Sequence, residues 1–83
     1  MQLNKELKSS LKREYSLCLN AVAFYRNALK NFEKKYNLST NVFLKKFETG
    51  KLGDEADFFD WYAFARLFHQ WQNTLTALRS ASK

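Results

Sequence analysis

The sequence predicts an all-α fold, an antiparallel hairpin of two long helices with a short helix between them, and three observations carry that prediction. The 83 residues contain no Pro and only two Gly, at positions 50 and 53, which removes the turn punctuation that a fold of many short strands requires. Apolar residues recur at alternating steps of three and four in both halves of the chain, the period of a buried helix face. Aromatic residues make up 17% of the sequence, which argues against disorder and leaves many rings in need of packing partners.

The first helix is expected over about residues 2–36. Tyr15, Cys18, Val22, Tyr25, Leu29, Phe32 and Tyr36 form its seam, and Leu3, Leu7 and Leu11 continue the stripe upstream at steps of four. Asn37 suits a left-handed exit, after which Leu38 can fold back on the last turn. Ser39 or Thr40 then caps a short helix over about 41–49, with Phe43, Leu44 and Phe47 on its apolar side and Gly50 as its stop. Residues 50–53, GKLG, form the hinge. Asp54 is placed to cap a third helix over about 55–80, with Glu55 and Asp57 in its first turn, where the helix dipole favours negative charge. Trp61, Phe64, Phe68, Trp71, Leu75 and Leu78 share one face of that helix and should pack on the first. Paired from the Tyr36 end, the longer first helix leaves its opening turns, with Leu3 and Leu7, overhanging.

Length allows a single domain, 1–83, and excludes a multidomain enzyme. A chain of this size buries only roughly 60–65% of the surface its unfolded form exposes, so it is marginal alone or completed by a partner. One cysteine, Cys18, excludes an internal disulfide; its place on the seam of the first helix reads as a buried, inert thiol. No apolar run reaches the length of a membrane span, and the opening residues lack the apolar stretch of a secretory signal, so a soluble cytoplasmic protein with no membrane contact is expected.

The net charge of +6 is unevenly placed. Residues 1–47 carry ten Lys/Arg against three Asp/Glu, and residues 48–83 four against five. On the first helix Lys5, Lys8, Lys12, Arg26, Lys30 and Lys34 lie broadly on one face. That face is either the solvated side of an amphipathic helix or a sequence-independent contact for nucleic-acid phosphates. The acidic counterpart is Asp54, Glu55, Asp57 and Asp60, read either as capping and dipole compensation or as a partner-facing surface. Around it Phe58, Phe59 and Tyr62 fall outside the seam begun by Trp61, more rings than a two-helix contact uses, and a residual aromatic patch with an acidic rim is expected there.

Catalytic chemistry has little to stand on. His69 is the only histidine, beside Tyr62 and Ala65 and off the main seam, and no second and third ligand accompany it at helical spacing; no metal, no cofactor and no catalytic residue is expected. The acidic block lacks the interleaved ligands of a calcium loop, and GKLGD lacks the rest of a phosphate loop.

The central stretch YNLSTNVFLKKFETGKLGDEADFFDWYAF, residues 36–64, resembles a family of small prokaryotic helical proteins with the pattern Phe, Gly-x-Leu-Gly-Asp, then Asp-Phe-Phe-[Asp/Glu]-Trp. The matching positions are Phe47, Gly50, Leu52, Gly53, Asp54, Asp57, Phe58, Phe59, Asp60 and Trp61. Members of that family look like antitoxins, often accompanying a separately encoded small toxin, frequently a ribonuclease. The resemblance therefore implies a non-enzymatic antitoxin that neutralises a cognate toxin by stoichiometric binding, with Asp54, Asp57, Phe58, Phe59, Asp60, Trp61 and Tyr62 as the contact set. Two other readings stand beside it: a nucleic-acid-binding helical module using the basic face of helix one, and a homo-oligomer assembled through the overhanging leucines of that helix.

Overall fold

The computed structural model describes residues 5–81, and side chains from 9 to 80. Those residues are all helical apart from the connections: α1 (Lys5–Tyr36), α2 (Thr40–Glu48) and α3 (Ala56–Ala81). Leu3 lies outside the described residues, as do the side chains of Lys5, Leu7 and Lys8; the expected leucine overhang falls there too.

Both connections are closed by local chemistry. Asn37 adopts a left-handed conformation at φ 52°, and the Leu38 amide donates to the carbonyl of Glu33 at 3.1 Å, the six-to-one bond that ends a helix in a Schellman turn. Leu38 then packs against the core. Ser39, rather than Thr40, is the cap of α2: its hydroxyl accepts from the Val42 amide. Thr40 is the first helical residue and serves two other elements. Its amide donates to the Glu33 carboxylate at 2.8 Å, and its hydroxyl accepts from the Trp61 indole at 3.1 Å. Gly50, at φ 71°, ends α2 with the same motif, its own amide bonding to Phe47 and that of Lys51 to Lys46.

The long helices pair in reversed order. Tyr36 meets Phe58, Leu29 shares a cluster with Trp61 and Ala65, Cys18 and Val22 share one with Leu75, and Arg79 Nε donates to the Tyr15 hydroxyl at 3.2 Å. Every seam residue expected on α1 and α3 is buried or half-buried. Ala65 corrects the expectation that placed it off the seam beside His69. It is 1% exposed and clusters with Leu29 and Trp61, a small side chain buried in the contact between the helices.

The result is a rod of 53 × 20 × 17 Å with a radius of gyration of 16.6 Å, against about 12 Å for a compact chain of this length. Its core lies mainly at the turn end. There Trp61 and Phe43 are fully enclosed, their rings stacked at 3.9 Å and 4°, with Phe32 of α1 nearly parallel to the same indole at 5.5 Å. α2 thus acts as the third wall that lets a two-helix hairpin enclose a Trp.

Candidate functional site

The acidic start of α3 follows directly from the Gly50 turn, which delivers the chain from α2 to Ala56 across a segment that is exposed except for Leu52, which packs against the core. Asp54 does not cap α3, contrary to the sequence reading. The helix begins at Ala56, the Phe58 amide bonds to the carbonyl of Glu55 at 3.0 Å, and the Asp54 side chain is exposed with no hydrogen bond among the described residues. Glu55 makes a long contact of 3.4 Å with the Tyr36 hydroxyl.

Asp57 has a different job from its neighbours. One carboxylate oxygen accepts from Lys35 Nζ at 2.6 Å and from the Tyr36 hydroxyl at 2.6 Å, joining the last turn of α1 to the first turn of α3. The hydrogen bond from Lys35, then that from Tyr36, holds the Asp57 carboxyl below the usual carboxylate value. The same bond to Asp57 raises both Lys35 and Tyr36. Tyr36 was expected only as a seam residue. Its ring does pack in the core, but the hydroxyl reaches the rim, the division of labour that suits tyrosine at the edge of a buried cluster.

The aromatic surplus is largely absorbed by α2. Phe58 lies between Tyr36 at 5.2 Å and Phe43 at 5.9 Å. Tyr62 stacks on Phe47 at 4.8 Å and 22°, and its hydroxyl accepts from Arg66. Trp61, expected in the contact set, has no exposed surface and is a core residue, not a contact. Phe59 is what remains: 54% exposed, its ring edge-on to Phe47 at 5.6 Å, with Asp60, exposed and unpaired among the described residues, next in the chain. The expected patch therefore contracts to one protruding ring, two half-buried shoulders, Phe58 and Tyr62, and the free carboxylates of Asp54 and Asp60.

The basic side of α1 is less continuous than its sequence implies. Arg26 lies over the Phe68 ring at 5.7 Å and, with Lys30, Asn41 and His69, lines a shallow groove of about 270 Å³. Glu33 lies in the same groove, its carboxylate already bonded to Thr40. Lys12 and Lys34 are exposed. Cys18 is a free, buried thiol. Among the described residues no group of three or more His, Cys, Asp and Glu is placed to hold a metal, and no helix is long and apolar enough to cross a membrane.

One feature without a counterpart in the sequence reading is on α1. Leu17 and Phe24 are each 62% exposed, and with Ala21 and Ala28 they step four, three and four along a second stripe. Such a stripe is visible in the sequence once the first seam has been assigned.

No family model, no curated protein and no solved structure matches this chain.

Proposed function

We propose that the chain is a non-enzymatic protein-binding hairpin, an antitoxin-like module that neutralises a cognate toxin through the acidic start of α3. The observation that carries this reading is Phe59, an exposed ring held on a rigid helix beside unpaired carboxylates. An apolar anchor within an anionic rim is complementary to a basic groove such as that of an RNA-cutting toxin: the ring supplies affinity and the carboxylates supply steering and selectivity. Asp54, Phe59 and Asp60 form the direct contact set, with Phe58 and Tyr62 as its shoulders. Asp57 contributes by fixing the angle at which α3 leaves the turn, because its carboxylate is already engaged by Lys35 and Tyr36.

The test is coexpression with the product of the neighbouring gene. A co-purifying complex and restored growth support the reading, and their absence removes it. Asp54→Lys combined with Asp60→Lys should weaken the complex with helicity unchanged, since neither carboxylate has a partner among the described residues. If the isolated chain instead binds RNA or DNA with an affinity that falls steeply with salt, the Arg26–Lys30 side of α1 is the functional surface.

A further inference from the structure

The rod has two broad sides, and only one of them is covered. α2 docks where Phe43 and Phe47 reach Trp61, Phe58 and Tyr62. The other side is marked by the contact chain Phe24, Tyr25, Phe64: Phe24 stands edge-on to Tyr25 at 5.1 Å, and Tyr25 meets Phe64 of α3 at 5.7 Å. On α1 that side carries Leu17, Ala21, Phe24 and Ala28. On α3 it carries Leu67 and Trp71, one and two turns beyond Phe64. Leu67 is half-buried yet belongs to neither core cluster. The face joins bulky apolar side chains to alanines at steps of three and four, the pattern that lets a further pair of helices seat closely.

We propose that this face is the interface of a homodimer in which a second copy packs antiparallel across it to form a four-helix bundle. Three observations favour a second copy as the occupant. The accessible surface of 6529 Å² is well above the about 5,200 Å² of a compact monomer of this mass, so the single chain leaves its fold incomplete. The side of the rod that carries this stripe is up to 53 Å long and 20 Å across, which leaves room for the roughly 800 Å² per partner of a standard interface around its apolar centre. The ends of the rod are also electrically unlike. On this side the turn end bears Asp60, exposed and unpaired among the described residues, beside the mutually neutralising pair Lys35–Asp57, and the open end bears Arg13, exposed on α1. A two-fold axis near Ala21 sets Leu17 of one copy against Phe24 of the other and brings each acidic end toward the partner's basic end, whereas a parallel pair sets like against like.

The proposal concerns the isolated chain and a face centred away from Phe59; Asp60 is shared with the toxin-binding reading, and the Leu17 and Phe24 variants separate the two. Sedimentation of the purified full chain from micromolar to sub-millimolar concentration should show conversion from 9.8 kDa to twice that mass, with a concentration-dependent blue shift of Trp71 emission. Phe24→Glu and, separately, Leu17→Glu should raise the dimer dissociation constant about 30-fold or more. Both residues are mostly exposed in the single chain, so helicity at low concentration should persist. Arg13→Glu and Asp60→Lys should each weaken the dimer, and the two together should restore it. A monomer at every concentration, or a dimer indifferent to both Leu17→Glu and Phe24→Glu, overturns the proposal. So does a face protected only when a different protein is added. A dimer sensitive to Phe24 but unmoved by the charge reversals overturns the antiparallel arrangement.

Discussion

The turn end and the open end of the hairpin are built from the same kind of seam, yet they bury side chains to different degrees. At the turn end three helices meet, and Trp61 and Phe43 lose all contact with water. At the open end only α1 and α3 meet. Cys18, Val22 and Leu75 are covered there, while Leu17 and Phe24, within a turn or two on the same helix, stay mostly exposed. Two cylinders touch along a stripe, and any side chain off that stripe keeps one flank in water. Enclosure of a large ring needs a third wall, and nine residues of α2 suffice to build one.

The widest gap between the ends should appear on truncating their central residues. Trp61→Ala removes an indole packed by three helices and hydrogen-bonded to Thr40. It should cost about 3–5 kcal/mol, comparable with the whole stability of so small a domain, and circular dichroism should show a chain largely unfolded at 25 °C. Leu75→Ala should cost nearer 2 kcal/mol, the low end for such a change, because an open groove collapses more readily onto a void. Equal losses in urea melts would mean the open end is as well packed as the turn end, and would point to a bundle already completed by a second copy.

A smaller effect sharpens the role of α2. Gly50→Ala places a β-carbon on a backbone at φ 71°, with open space around it, so the penalty is conformational alone, about 1 kcal/mol. It should lower the thermal midpoint and increase hydrogen exchange around Phe43 and Trp61 while leaving the amides near Cys18 and Leu75 unchanged.

The smallest effect concerns the link among Lys35, Tyr36 and Asp57. Asp57 is held below its ordinary value of 3.8, so its contribution is complete above that value and is lost as pH falls through the lower folded value. Lys35 and Tyr36 are raised from 10.5 and 10.0, so theirs is complete below pH 10 and is lost as pH rises through the folded values. The link should therefore be flat through neutrality and fail at both extremes. Comparing melting profiles of the wild type and Tyr36→Phe against pH should show a small loss in the variant that is largest on the plateau around pH 7 and shrinks at both extremes, where the wild type loses the link as well.

Much of the helix framework was legible because its causes are local. Asn37 and Gly50 are residues that tolerate a left-handed backbone, and both helices end at them. The steps of three and four place Cys18, Leu29, Trp61 and Leu75 inward without knowledge of the partner helix. The candidate site was less legible. Asp54, Asp57 and Asp60 look alike in the sequence, but Asp57 is claimed by two residues more than twenty positions away and the others are left free. Trp61 reads equally as anchor or as core until Phe43 is seen lying on it.

The sequence by itself determined three helices, the left-handed exits at Asn37 and Gly50 and the main stripe that each long helix buries, since period and left-handed tolerance act within a few residues. Only the tertiary structure decided which rings α2 covers, which carboxylates remain available and which side of the rod stays open. Those outcomes depend on where a short third helix docks, and docking sums contacts between residues far apart in the chain.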